Sequence, residues 1–268
     1  MLSRFEIWVL PHNLRAAFEK ASILLRRAEF DVLYLNIQRG LQELVEDLAL
    51  GAPYEQFINR VEEADILHEP ITSWEYAVKP ILLAIRGLKL KKPHLKIICY
   101  RNPVLDSLSI ESAERIAMLT FRVNSTGKVD VEEWRSLIRK IIDGTDASIK
   151  DEVEYIIGSC SEVSSEQKAI CMTDFSGRHL LRELRKTGID VILRYIFLPY
   201  YFTPLEILLR ETAYMLRRGV NIGNERLHKL VKLHAKFIRE YILTSVDYDE
   251  AYFRWLRDKG FRKLQNGQ

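Results

Sequence analysis

The chain has 268 residues, 47% of them hydrophobic and 29% charged, with a formal net charge of +3. That hydrophobic share excludes a mainly disordered polymer, and the length suffices to bury one large core or two modest ones. The longest uncharged run of the apolar C-terminal region, residues 195–205, is too short to cross a bilayer, so no membrane partner is expected.

Arg4 and Glu6 interrupt the N-terminus, which argues against a signal peptide. The three cysteines, Cys99, Cys160 and Cys171, have no CxxC partner. An odd count without such pairing fits a reducing cytoplasm. High charge with scarce Asn and Gln resembles the composition of thermophile proteins.

The charge is uneven. Residues 177–268 carry 18 Lys or Arg against 10 Asp or Glu, whereas residues 1–176 carry 22 against 27. A basic C-terminal part suits an acidic or polyanionic partner.

In chain order, RFEIWVL (4–10) reads as a strand ending at Pro11. Asn13 is placed to cap a helix whose Leu14, Phe18, Ala21, Leu25 and Ala28 share a face. FDVLYL (30–35) reads as a second strand, followed by helices over 38–50 and 54–64. Thr72 and Glu75 have capping-box spacing, predicting a helix that begins there and kinks at Pro80.

LKIICY (95–100) is a third strand. Residues 109–160 hold three helical patterns punctuated by Gly127 and Gly144, with a further capping-box spacing at Asp130 and Glu133. KAICMT (168–173) is a fourth strand, 177–186 its helix, and IDVILRYIF (189–197) a fifth strand. TPLE (203–206) then combines a Thr cap, Pro at the first helical position and Glu three residues after the cap, and the pattern is helical to the end.

Near-continuous apolar strands separated by helices predict an α/β protein. The expected architecture is a mostly parallel sheet of about five strands flanked by helices, with a helical insertion and a helical C-terminal tail. The expected division is an α/β domain over 1–202, with the insertion at about 105–165, and a basic helical region over 203–268 packing on it.

Ligands of open α/β sheets collect beyond the carboxyl ends of the strands. The polar residues there are His12 after the first strand, Asn36 after the second, Arg101 and Asn102 after the third, and Asp174 and Ser176 after the fourth. Ser176 and Gly177 open a helix, whose N-terminus favours an anion, and Arg178 adds a donor. These residues define a candidate pocket for an anionic small molecule or phosphate. The ordinary alternative is that turns between strands and helices are polar because Asn, Asp and Ser cap helices.

The six histidines, His12, His68, His94, His179, His228 and His234, include no pair at i, i+4, so no metal site is predicted. GxSxG, Walker and GxGxxG motifs are absent, and no cofactor is identified. In the tail, RWLRDKGFRKL (254–264) places Arg254, Arg257, Lys259, Arg262 and Lys263 among aromatics, a pattern compatible with nucleic-acid binding. The aromatic run YIFLPYYF (195–202) reads equally as core or as a contact in a homo-oligomer.

IWVLPHNLRAAFEKASILLRRAEFDVLYLNIQRGLQEL, SWEYAVKPILLAIRGLKLKKPHLKIICYRNP and KAICMTDFSGRHLLRELRKTGIDV together resemble, in layout, the TraB/ChaN/erythromycin-esterase-like superfamily over about residues 4–197. His12 stands where that superfamily's first His is found. Asn36 replaces its Glu, Arg101 an acidic residue before Pro, and Ser176 a second His. Some members are thought to be metal-dependent or His/Glu-based hydrolases. An Asn cannot act as a general base and an Arg cannot ligate a metal.

The resemblance therefore implies a degenerate hydrolase-like fold in a soluble cytoplasmic protein, used to bind an anionic small molecule or for assembly. A hydrolase rearranged around His12 and Asp174, with or without a metal, is the alternative, and nucleic-acid association through the basic tail is a third reading.

Overall fold

The computed structural model describes residues 4–67, 70–160 and 167–265, with the side chains of 103–109 and 260–265 outside the described set. His68 and the side chains of Arg262 and Lys263 thus lie outside the described residues. The elements are β1 (Arg4–Val9), α1 (Arg15–Leu25), β2 (Val32–Gln38), α2 (Gln42–Leu50), α3 (Tyr54–Glu63), α4 (Ile71–Lys91), β3 (Lys96–Arg101), α5 (Pro103–Thr126) and α6 (Val131–Cys160). They continue with β4 (Lys168–Thr173), α7 (Gly177–Lys186), β5 (Val191–Tyr195), α8 (Pro204–Leu216), α9 (Asn224–Glu240) and α10 (Tyr248–Gln265). Among the described residues no helix is long and apolar enough to cross a membrane.

The five strands form one all-parallel sheet in the order β3-β2-β4-β1-β5. Every residue of β2 except Asn36 is buried, as expected of a strand covered on both faces. Strands β1 and β4 pair in register from Arg4 with Lys168 to Val9 with Thr173. The chain leaves β2 toward β3 at one edge and leaves β4 toward β5 at the other. Adjacent strands β2 and β4 therefore flank the topological switch point of a doubly wound sheet.

Two compact units divide the chain, Met1–Ser107 with Asp146–Leu198, and Leu108–Thr145 with Pro199–Gln268. In the first, one sheet face carries Phe5, Ile7, Val9, Tyr34 and Cys171 against Ile149, Val153 and Ile156 of α6 and Leu180 and Leu184 of α7. The buried phenols on this sheet are satisfied: Tyr34 Oη lies 3.0 Å from Ser159 Oγ, and Tyr100 Oη donates to the Met172 carbonyl at 2.8 Å. The opposite face carries Leu10, Leu35 and Met172 beside Phe18 of α1 and Trp74, Val78 and Ile81 of α4.

The second unit is helical. Leu119 and Val123 of α5, Trp134 and Ile138 of α6, Leu208 of α8 and Leu227, Leu230 and Val231 of α9 form one core. The division expected from the sequence shifts accordingly. The front of the insertion shares its core with the C-terminal helices, because the apolar stripes of α5 and α6 complete those of α8 and α9.

Local signals were followed unevenly. Thr203 and Glu206 form the predicted capping box, with Pro204 at the first position of α8. Tyr200 Oη adds hydrogen bonds of 2.8 and 3.0 Å to the Glu206 carboxylate. Thr72 and Glu75 do not cap α4, which starts after Pro70. The Glu75 carboxylate is taken by Tyr54 Oη at 3.0 Å and Lys79 Nζ at 2.8 Å.

The three helical patterns of 109–160 are two helices, because α6 runs through Gly144. A Cβ there meets nothing within 4 Å. Gly144→Ala is therefore expected to stabilise the protein by about 0.5–1 kcal/mol, read as a higher urea midpoint at unchanged slope.

Candidate functional site

The strand order decides which polar strand ends meet. Because β4 lies between β1 and β2, the residues beyond β1 and β4 converge with the end of β2. His12 follows β1 in a turn, Asn36 lies near the end of β2, and Asp174 immediately follows β4, all three half-buried. They line one cavity of about 30 Å³, together with Thr173 and an apolar wall that includes Leu10, Phe18, Trp74 and Met172. A space of this size holds one or two water molecules, or the polar tip of a larger molecule.

Asn36 sets the cavity's chemistry. Its Oδ1 is buried and has no hydrogen-bond partner. An unsatisfied buried acceptor costs about 1–3 kcal/mol, so its position calls for a water or ligand donor. Asp174 is partly committed to local structure: its Oδ1 accepts from the Ser176 amide at 2.7 Å and its carbonyl from the Gly177 amide at 3.1 Å. The turn opening α7 is thus closed by Asp174, and Ser176 makes no side-chain cap.

The remaining predicted ligand residues stand elsewhere. Arg101 ends the edge strand β3 and Asn102 follows it, separated from β4 by β2, and neither lines the cavity. Ser176 Oγ lies 3.3 Å from Thr173 Oγ1, outside the lining set. Arg178 is exposed and donates from Nε to Tyr195 Oη at 2.7 Å. Gly177 is packed against β1 and β4, where a Cβ would lie 2.6 Å from Val9 Cγ2 and 2.9 Å from Thr173 Cγ2.

The cation-rich pocket expected from the sequence is therefore not assembled in the unit's described cavity. Among the described residues the lining includes one carboxylate, Asp174, and no Arg or Lys. Among the described residues no group of three or more His, Cys, Asp or Glu is placed to hold a metal ion.

Two groups near these strand ends escaped the sequence reading. Glu152 of α6 is buried, accepts from Ser148 Oγ at 3.0 Å, and raises the pKa values of Tyr100 and Cys171 through its charge. Burial is the larger cause of both shifts, and keeps the phenol and the thiol neutral. Arg39, just past β2, donates to the Tyr100 carbonyl at 2.8 Å and to Asp151 Oδ2 at 2.6 Å, and stacks 3.9 Å over the Tyr155 ring. It ties β2 and β3 to α6. Glu152 has no sequence signal beyond its place on the buried stripe of α6, and Arg39 reads as an ordinary turn cation.

Fold and cavity define a doubly wound α/β unit with a small, mostly apolar crevice that has one polar end at its switch point, joined in sequence to a helical unit. No protein-family model, curated protein or solved structure matches the chain.

Proposed function

We propose that the α/β unit binds a small polar molecule in the crevice between β2 and β4, with His12, Asn36 and Asp174 forming its polar end. The observation that carries this reading is the orphaned, buried Oδ1 of Asn36, a residue that lines the cavity with His12, Thr173, Asp174 and an apolar wall. An acceptor amide beside a carboxylate suits a ligand that presents N–H or O–H donors, such as an amine, amide or hydroxyl. With the arginines placed elsewhere, this chemistry replaces the expected anion. On the TraB/ChaN-like resemblance, these are the strand ends that relatives use for chemistry, and Asn36 in place of Glu supports binding over hydrolysis.

His12 and Asp174 lining one cavity supports a second reading, a hydrolase using the imidazole as general base. Asp174→Asn separates the two. It keeps an Oδ1 acceptor for the Ser176 amide, so the turn survives, while the charge is lost. A hydrolase is expected to lose activity on an esterase and phosphatase panel, whereas a binder shows no activity to lose.

Asn36→Leu tests the main proposal. Removing an unsatisfied buried acceptor at nearly constant volume is expected to raise stability by about 1 kcal/mol in the ligand-free protein. The same substitution abolishes any melting-temperature increase produced by millimolar polyols, amino acids or amines. A wild-type protein that no member of this panel stabilises, or a variant that responds like wild type, would sink the proposal.

A further inference from the structure

The helical unit carries a second feature, independent of the crevice. Lys229, Lys232, Lys236 and Arg239 recur at three- and four-residue steps on the outward side of α9. Successive cations are separated by about 4.5–6 Å along the helix axis. Between residues 226 and 239 the helix has no acidic residue. Glu225 precedes the row, and Glu240 ends it, lying 3.6 Å from Lys236 and 3.2 Å from Arg239. Arg226 is held by Glu211. Lys229 and Lys232 are exposed, and the ion pairs of α9 among the described residues are made by Arg226, Lys236 and Arg239 instead.

Beside this row lies a cavity of about 170 Å³, whose lining includes Leu233 and Lys236 of the same helix with Phe237, Tyr241, Trp255 and Lys259. Phe237 meets Trp255 edge to face at 5.4 Å, and Lys259 Nζ sits 4.6 Å from the Trp255 ring centre. Among the described lining residues the one carboxylate, Asp258, accepts from Tyr241 Oη at 2.8 Å. An apolar cavity of roughly 150 Å³ takes a benzene-sized ring. A six-membered planar ring therefore fits, and a single small anion would leave most of the cation row unused.

We infer that the helical unit binds single-stranded nucleic acid, with phosphates along Lys229, Lys232, Lys236 and Arg239 and one pyrimidine base seated in the Trp255 cavity. Charge spacing and the adjacent aromatic seat match this partner: the cations follow the backbone while the cavity takes a single six-membered ring. The reading goes beyond the crevice ligand and does not depend on it.

The test is fluorescence anisotropy of the full chain with a labelled 12-nucleotide pyrimidine oligomer at several salt concentrations. Four phosphate contacts predict that log K falls with log salt with a slope of about −3. Lys229→Gln with Lys232→Gln, both on exposed side chains, is expected to reduce that slope by about 1.4 units. An oligomer of the same length made of abasic units is expected to bind at least about fivefold more weakly. Equal affinity for duplex and single strand, or for the abasic oligomer, overturns the base seat. A slope unchanged by the double substitution, or stronger binding to phosphatidylserine vesicles than to the oligomer, overturns the inference as a whole.

Discussion

Acidification from pH 7 to pH 4 is expected to cost the protein about 3 kcal/mol through one residue, His234. It is buried on α9, and neither Nδ1 nor Nε2 has a hydrogen-bond partner. Its ring meets Trp134 edge to face at 6.3 Å, within the core of the helical unit. Among the described residues no group supports a charged imidazole, and burial lowers its pKa to about 4. The unfolded side chain titrates near 6.5.

A depressed folded value means that the unfolded chain binds the proton first. The stabilisation is thus complete above about pH 6.5, is lost as pH falls toward 4, and changes little below that. A shift of about 2.5 units corresponds to roughly 3 kcal/mol.

Other groups titrate in the same range with both signs, so the measurement is a difference. Glu206, pushed up mainly by burial, gains stability as pH falls and works against His234. Glu211, held below the usual carboxylate range mainly by its hydrogen bond to Arg226, loses it. Urea unfolding of wild type and His234→Leu at pH 7 and pH 4.5 cancels these contributions. The variant's pH dependence is expected to be shallower by about 2.5 kcal/mol over that interval. Parallel curves would show that the imidazole finds a partner or water on protonation.

The sheet's elements were legible because each strand's apolar run and each cap is local. Strand β4 and helix α7 begin and end where the apolar run and Gly177 place them. Thr203 likewise caps α8 as its spacing requires. The site was half legible for a physical reason. That His12 and Asp174 follow strand ends and Asn36 lies near one is written locally, although β2 runs on to Gln38. Which strands adjoin, however, depends on hydrogen bonds between segments over a hundred residues apart.

Placing β4 inside and β3 at the edge brings Asp174 to the cavity and leaves Arg101 out. That exchange turns an expected cation-rich pocket into one lined by an acceptor amide and a carboxylate. The α9 row was not legible for another reason: cations and aromatics are neighbours in sequence only at 254–264, whereas the row of α9 meets its aromatic cavity only through the packing of α9 against α10.

Gly177→Ala is expected to destabilise the protein by about 2 kcal/mol, although Ala is the better helix former. The added methyl would lie 2.6 Å from Val9 Cγ2, 2.9 Å from Thr173 Cγ2 and 3.2 Å from Ile7 Cγ2. All three neighbours are β-branched and stiff at χ1. They stand on adjoining strands, with β1 flanked on both sides, so they cannot step aside cheaply. Overpacking of this kind costs about 1–3 kcal/mol, and a helix-propensity gain of up to about 1 kcal/mol offsets part of it.

The glycine is there so that the start of α7 can press against the sheet. Phosphate or sulfate should leave the gap between wild type and variant unchanged. Val9→Ala removes the nearest methyl. In the double variant the Gly177→Ala cost should shrink by at least about 1 kcal/mol, a coupling that a lost ligand site would not produce. Additive costs would refute the steric account.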